Sequence, residues 1–290
     1  MKQENEPLTP PEALVIEGKG TEAPFTGKYD DFFGAGTYHC RRCGAALYNS
    51  TDKFDAHCGW PAFDESIPGA VRREPDADGV RTEIICAACG AHLGHVFTGE
   101  HLTEKNTRHC VNSISVTFVP NMQDAADPMA PQIAVLASGC FWGTEYWLSR
   151  LNGVIATEVG YAGGWLRDPL YRQVKAGDTG HLECVRVVFD PNKVSYEEVL
   201  KMYFNTFDFE QADGQGPDIG PQYRSAVFYT NLAQKNQAEQ ALEKLREKGY
   251  KPVTQVRPLD IFYPEHDEFH RRYYDKKKLA PYCHSYREVL

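Results

Sequence analysis

Two cysteine segments constrain this chain more than any other feature. Cys40-Arg-Arg-Cys43-Gly44 and Cys86-Ala-Ala-Cys89-Gly90 repeat one pattern, with 42 residues between Cys43 and Cys86. Two such pairs supply four thiolates, the ligand set of a closed tetrahedral zinc site. A glycine after each pair lets the backbone turn sharply and aim amides at the sulfurs. The gap exceeds ordinary zinc-ribbon spacing, which weakens the motif and leaves the coordination chemistry intact. The competing reading is two redox-active pairs, although a redox C-x-x-C usually stands alone at a helix start. Four thiolates leave no open position, so a zinc held by Cys40, Cys43, Cys86 and Cys89 would be structural. No organic cofactor is expected.

Of the nine cysteines, Cys58, Cys110, Cys140, Cys184 and Cys283 remain. Cys140 lies in Gly139-Cys-Phe-Trp-Gly143, between the apolar run 133–138 and a helical pattern. Unpaired N–H groups and the dipole at a helix start favour thiolate, so its pKa is expected below the free value of roughly 8.5. The alternative is a buried structural cysteine. Phe141 and Trp142 beside it would make an apolar cage suited to a methyl or thioether group. Cys110 stands near the start of a half-buried strand, where Ile114, Val116 and Phe118 alternate with Ser113, Ser115 and Thr117. Cys58 sits with Trp60 in a turn-rich stretch, and His92 and His95 could share a pocket. By themselves such histidines are more often hydrogen-bonded fillers than catalysts.

A chain of 290 residues is ordinary for two domains. Residues 1–130 hold 11 Lys and Arg against 19 Asp and Glu, and residues 131–290 hold 20 against 21. Neither half is basic, which argues against nucleic acid as a partner. No apolar run reaches the length of a membrane span and the polar start lacks a signal-peptide core, so a cytoplasmic protein is expected, with an extracytoplasmic one open if a leader has been removed.

The periodicity suggests a loosely structured lead-in over residues 1–30, a first domain over 1–120, a linker over 121–131 rich in Pro and Asp, and a second domain over 132–290. The fold class is α+β: a β-rich zinc-binding domain of two antiparallel sheets, then a ferredoxin-like α/β sandwich. In the second domain strands are expected near 133–138, 155–161, 184–189 and 224–230, and helices near 143–151, 196–206, 232–248 and 265–278. Ser195 with Glu198 reads as a capping box, and Ala238, Ala241, Leu242 and Leu245 as an apolar stripe closed by Gly249. Along the strand from Glu183, Val185 and Val187 share its face while Cys184 and Arg186 take the other.

Several ordered motifs carry a resemblance. Thr21 to Val119 contains both knuckles, Cys-Gly-Trp-Pro-Ala-Phe63, His-Leu-Gly-His-Val-Phe97 and Arg-His-Cys-Val-Asn-Ser113, and resembles type B methionine sulfoxide reductase. Ile133 to Tyr286 contains Gly-Cys-Phe-Trp-Gly143, Gly-Tyr-Ala-Gly-Gly164, Thr-Gly-His-Leu-Glu183 and Asp-Ile-Gly-Pro-Gln-Tyr-Arg-Ser225, and resembles the unrelated type A enzyme. Oxidation makes methionine sulfur a stereocentre, so one pocket cannot present both epimers to its acid. The resemblance implies that the A half takes the S-sulfoxide and the B half the R-sulfoxide, free or in oxidised proteins.

In the A half it implies Cys140 as nucleophile, Glu183 as proton donor, Tyr171, Tyr223 and Asp218 around the sulfoxide oxygen, and Phe141 and Trp142 around the methyl. In the B half it implies Cys110 as nucleophile, His95 and His92 as proton-transfer groups, Asn112 orienting them, and Trp60 as the methyl wall. Attack leaves a sulfenic acid that a second thiol must condense with. Cys58 matches the B-type resolver. For the A half Cys283, on a tail able to swing, and Cys184 both stand open, and a single C-terminal cysteine argues for a one-disulfide cycle. Thioredoxin or a similar dithiol protein would reduce each disulfide. Two other classes use the same thiols: a zinc-bearing redox sensor, which needs no proton donors or aromatic cages, and a Cys–His hydrolase.

Overall fold

The structure is a computed structural model that describes residues 7–121 and 129–290. Most of the expected linker lies outside the described residues. The chain divides into two compact units, one of residues up to Asn121 with Trp165–Asp168, the other of Met122–Gly164 and Pro169–Leu290. No helix among the described residues is long and apolar enough to cross a membrane.

The first unit opens with a helix, not with the loose lead-in expected over residues 1–30. In α1 (Pro10–Ile16) proline occupies the first turn, and Thr9 donates its amide and hydroxyl to the Glu12 carboxylate at 2.7 and 2.9 Å. Val15 and Ile16 are buried. Further along, the Tyr29 ring is fully buried, its hydroxyl accepting from the Phe118 amide at 2.9 Å. The segment forms part of the core because its few large apolar groups land there.

Two sheets follow, both antiparallel. One has three strands, with β1 (Gly36–Cys40) between β2 (Ala46–Asn49) and β9 (Val116–Pro120). The other runs β3-β4-β8-β7-β6-β5, from β3 (Lys53–Phe54), β4 (Ala62–Phe63), β5 (Val71–Pro75), β6 (Thr82–Cys86), β7 (His92–Thr98) and β8 (Thr107–Val111). Tyr38, Tyr48 and Phe63 fill the space between them, with Tyr48 stacked on Phe63 at 4.3 Å. Each such buried aromatic contributes roughly 1.5–3 kcal/mol. The register places Ala62, Cys110, His95 and Glu83 opposite one another on four neighbouring strands, so their side chains stand in one row on one face.

In the second unit the central strands are β10 (Gln132–Ser138), β11 (Val154–Ala162), β12 (Leu182–Phe189) and β15 (Ser225–Tyr229), in the spatial order β15-β10-β12-β11. With α2 (Phe141–Leu148) after the first strand and α4 (Tyr196–Phe204) after the third, this is the ferredoxin-like βαββαβ arrangement. Two edge strands extend it: β16 (Gln255–Pro258), parallel to β15, and β17 (Phe262–Pro264), antiparallel to β11. The short α3 (Tyr171–Ala176) and a hairpin of β13 (Gly214–Gln215) and β14 (Asp218–Ile219) are insertions the periodicity did not suggest. The sheet has two apolar faces. Val185, Val187 and Phe189 meet the helices α2, α4 and α5 (Leu232–Glu247), whereas Leu182 and Cys184 pack on the opposite side with Ala226 and Phe228.

The capping box at Ser195 forms as the sequence suggests, and the stripe from Ala238 to Leu245 is buried. The helix expected over 265–278 does not form. Only α6 (Tyr273–Lys277) is helical, bounded by Arg272 and Lys278 with positive φ. The Asp267 carboxylate accepts from the Phe269 amide at 2.9 Å and Glu265 from the Asp267 amide at 2.8 Å, so local side-chain turns outcompete the helix.

Gly94 in β7 is required by close approach: its φ is +148°, and a Cβ there would lie 2.1 Å from the Cys110 carbonyl oxygen. Gly94→Ala should therefore lower first-unit stability by at least about 2 kcal/mol through forced separation of β7 and β8. Gly79→Ala, at φ +70° with open space around it, should cost only about 1 kcal/mol. Urea midpoints of the two variants that coincide would contradict this account.

Candidate active sites and metal centre

The two knuckles are one backbone turn used twice. Gly44 and Gly90, at φ +74° and +73°, each donate to the carbonyl of the first cysteine, Cys40 or Cys86, at 2.8 Å. All four sulfurs lie within 4.8 Å of one another, with Cys40–Cys89 and Cys43–Cys86 each at 3.7 Å. A tetrahedral ion with Zn–S bonds of about 2.3 Å would hold its sulfurs about 3.8 Å apart, so the cluster fits zinc.

In the first unit Cys110 on β8 faces Cys58, their sulfurs 3.9 Å apart. The pair shares a proton. The S–H of Cys110 and the nearby Arg108 draw the Cys58 pKa down to about 6. The hydrogen bond to Cys58, then burial and that neighbour's charge, push Cys110 up. Arg108 is itself fixed by a two-point contact to Glu100, both distances 2.8 Å.

His95 stands beside Cys110 across the ladder, and its Nε2 lies 2.5 Å from Asp76. His92 packs edge-on against it at 5.6 Å and contacts Glu83 through Nδ1 at 2.7 Å. Burial lowers the His92 pKa even though Glu83 opposes this. Its other nitrogen, Nε2, is buried with no hydrogen bond among the described residues. Neither Glu83, on β6, nor Asp76, in the turn after β5, was singled out in the sequence, where nothing ties them to the histidines.

Asn112 was expected to orient the histidines. Its amide instead holds backbone, accepting from the Glu22 amide at 3.1 Å and donating to the Leu93 carbonyl at 3.2 Å. It thus ties the segment after α1 to the residue beside His92. Trp60 donates through its indole to the Glu22 carbonyl at 3.1 Å, which fixes the ring near Cys58. The buried Glu22 carboxyl accepts from the amides of Ser113 and Ile114, and burial raises its pKa to about 7.

In the second unit Cys140 is the N-cap of α2, at the end of a turn opened by Gly139 with φ +94°. The first amide of that helix, on Phe141, donates to Glu183 at 3.0 Å. Helix position was expected to lower the Cys140 pKa, but the thiol is pushed well up. Burial outweighs the dipole, and the carboxylates of Glu183 and Asp218 repel a thiolate. Glu183 is fully buried on β12, and loss of solvation raises its pKa to about 8, so it is protonated at neutral pH.

Tyr171 on α3 and Tyr223 in the turn Pro221–Tyr223 face this carboxyl. Burial and its charge push both phenols up, Tyr223 to about 12. Asp218 takes the Tyr282 hydroxyl on both oxygens at 3.0 Å. Around Cys140 the rings pack closely: Phe141 stacks on Tyr171 at 6.4 Å, and Trp142 on Tyr273 at 3.8 Å. His270 lies between them, 4.3 Å from Tyr171 and 5.6 Å from Trp142. His270 and Tyr273 fall in the stretch read as a plain helix and were missed for that reason.

Cys283 lies in the same apolar cluster as Cys140 and is 7% exposed. Its segment is docked and not free to swing. Gln215 donates to the Cys283 carbonyl at 2.9 Å, and Asn205 accepts from the amides of Val289 and Leu290 at 2.9 and 3.1 Å. Cys184 points to the other face of the sheet, its thiol donating to the Leu182 carbonyl at 3.2 Å.

Comparison with known proteins follows the same division. Residues 8–120 match the SelR domain and residues 132–289 the peptide methionine sulfoxide reductase family. The chain is 57% identical over 114 residues to peptide methionine sulfoxide reductase B5 of Oryza sativa subsp. japonica, covering 39% of this chain and 84% of that protein. It is 43% identical over 150 residues to peptide methionine sulfoxide reductase MsrA of Nautilia profundicola, covering 52% and 86%. Among solved structures, reduced Mxr1 from Saccharomyces cerevisiae aligns with a TM-score of 0.51 and 32% identity, covering 57% of this chain and 96% of that one. The chain belongs to the methionine sulfoxide reductases, a type B half followed by a type A half.

Proposed function

We infer that the two halves divide one repair by stereochemistry. The chain is an oxidoreductase acting on methionine sulfoxide, free or in proteins, and its B half reduces the R epimer and its A half the S epimer. The observation that carries this reading is a thiol beside a proton donor in each unit: Cys140 next to the neutral Glu183, and Cys110 next to His95. A redox sensor has no use for either donor.

A sulfoxide sulfur accepts a nucleophile only when its oxygen gains a proton. In the A half Glu183 gives that proton, with Tyr171, Tyr223 and Asp218 around the oxygen and Phe141 and Trp142 around the methyl. Cys140 enters as a thiol, because burial holds it so, and reaches thiolate as its proton passes to Glu183, replacing the one that Glu183 gives to the substrate oxygen. The oxygen moves to Cys140, which becomes a sulfenic acid, and methionine departs with the electron pair. Cys283 then attacks the sulfenic sulfur, a disulfide forms and water leaves. Cys184 is the poorer resolver, since the sheet separates it from Glu183.

In the B half the hydrogen-bonded Cys58 and Cys110 hold one proton, which rests on Cys110; Cys110 attacks as thiolate once that proton passes to Cys58, which then resolves as a thiol. His95, braced by Asp76, and His92, braced by Glu83, carry the proton, and Trp60 walls the methyl. The adjacent sulfurs support a disulfide as the product. Zinc bound by Cys40, Cys43, Cys86 and Cys89 staples β1 and β6 and takes no part in the chemistry. A thioredoxin-type dithiol returns each half to the reduced state, which suits a cytoplasmic setting, where thiols are kept reduced. We assign residues 1–120 to the B domain, 121–131 to the linker and 132–290 to the A domain.

Cys140→Ser should remove S-epimer turnover by at least ~10³-fold and spare the R epimer, and Cys110→Ser should do the reverse. Chromatography of methionine formed from each epimer with dithiothreitol reads this, and one substitution abolishing both activities would contradict independent sites. Glu183 has a folded pKa raised from 4.5 to about 8, so its acid form, and S-epimer turnover with it, should decline as pH rises through about 8. Glu183→Gln should lower that turnover ~10²–10³-fold and erase this limb of the profile. The folded chain binds the Glu183 proton more tightly than the unfolded one, so between pH 4.5 and 8 this group loses stability for the protein as pH rises. Glu183→Gln should then gain stability relative to the parent at pH 9 over pH 5, and parallel melting curves at the two pH values would refute the shift. Stripping the metal with a chelator should unfold the B half and end R-epimer turnover while S-epimer turnover persists.

A further inference from the structure

Cys283 has a neighbour whose proton can be located. The Nε2 of His284 lies 2.7 Å from the Ser138 carbonyl oxygen, and a carbonyl only accepts, so Nε2 carries the hydrogen. The hydroxyls of Ser138 and Thr144, both 3.4 Å from Nε2, line the same side. The other ring nitrogen, Nδ1, is left bare and sits 3.1 Å from the Cys283 sulfur, within reach of the thiol hydrogen, which the Asp218 carboxylate also draws. The imidazole is buried and rests on α2 at Gly143, where a Cβ would stand 2.2 Å from Nδ1. Ser138 precedes Cys140 by two residues. The backbone that presents the attacking sulfur therefore also orients this ring.

We propose that His284 is the base that takes the Cys283 proton when that thiol attacks oxidised Cys140. This rests on Cys283 being the resolving cysteine of the A half. The Cys283 S–H bond breaks toward Nδ1, and the sulfur electron pair forms the bond to the Cys140 sulfur. The Cys140 S–O bond breaks, and the departing hydroxide takes the proton from Nδ1 and leaves as water. Cys283 is oxidised and the sulfenic sulfur reduced, so no outside reagent is needed.

The local field makes such a base necessary. Asp218, Glu183, Cys140, Tyr274 and Tyr282 face Cys283, and none is cationic. Burial, the Asp218 charge and a hydrogen bond to that carboxylate raise the Cys283 pKa to about 12, which would leave roughly one thiol in 10⁵ ionised at pH 7. Burial lowers the His284 pKa to about 4, which keeps the ring neutral and able to accept. Transfer within the step of attack avoids a free thiolate.

The full chain, freed of reductant, is given one equivalent of the S-sulfoxide of a blocked methionine. Methionine release, dimedone capture of the Cys140 sulfenic acid and loss of free thiols are followed separately. In His284→Gln, whose amide can still donate to Ser138, and in His284→Asn, methionine release should stay within about twofold of the parent. Disulfide formation should slow by at least ~10²-fold, with the dimedone adduct accumulating. Its rate should climb tenfold per pH unit between about pH 6 and 9, because the thiolate must now form unaided, whereas the parent stays flat. Slowing by one factor at every pH, unchanged disulfide formation, or loss of methionine release in both variants would each overturn the proposal. In Cys283→Ser the sulfenic acid should persist. If it does not, Cys283 is not the resolver, a failure distinct from that of His284 as its base.

Discussion

A carboxyl kept neutral by burial is the constraint on which the A half depends. Glu183 is set into the ferredoxin-like sheet where β12 passes beneath the start of α2, and the first helical amide donates to it. Strand alternation puts it on the face that meets the helices, where loss of solvation is the main reason its proton is held and the charge of Asp218 adds to it. Protonation removes the cost of a buried charge and at the same time supplies the acid. The same burial that makes Glu183 a donor makes Cys140 a reluctant thiolate. The two effects belong together: a neutral acid and a neutral thiol wait for a polar S=O bond, and ionisation happens only as the oxygen takes its proton.

The B half reaches a comparable arrangement by other means. Here two sulfurs share a proton, and Arg108 favours the shared negative charge. The groups proposed to transfer the proton are imidazoles set by strand register, each braced by a carboxylate on an adjacent segment. The two cysteine knuckles terminate β1 and β6, the latter carrying Glu83, so the four-cysteine cluster and the site are linked through one strand. In both halves rigid sheet backbone, and not a loop, carries a proton donor.

Much of this was legible in the sequence because the chemistry is concentrated in short motifs. The knuckles, the glycine before Cys140 and the alternation after Glu183 each state a local geometry. The misreadings came where a segment was too short to show a period, where local side-chain turns compete with a helix, or where distant groups decide the outcome. The helix at Pro10–Ile16 did carry its signals, a proline pair and a Thr9-to-Glu12 capping box, but it was too short to show periodicity. The stretch after Glu265 has helical spacing, yet Asp267 and Glu265 bind nearby amides and so hold the chain in turns. The pKa of Cys140 was misjudged because a sequence reveals a helix start and not the depth at which it is buried. Glu83, Asp76 and His284 are ordinary residues in the sequence, and only cross-strand register and the fold of the C-terminal segment give them their neighbours.

The account is tested most directly by the ionisation state of Glu183 in the free protein. Infrared difference spectra of the full chain with carbon-13-labelled glutamate, parent minus Glu183→Gln, isolate this one carboxyl across a pH series. A protonated C=O band at pH 7 that gives way to carboxylate near pH 8 is the predicted result. A carboxylate band already complete at pH 6 would contradict the acid role assigned to it.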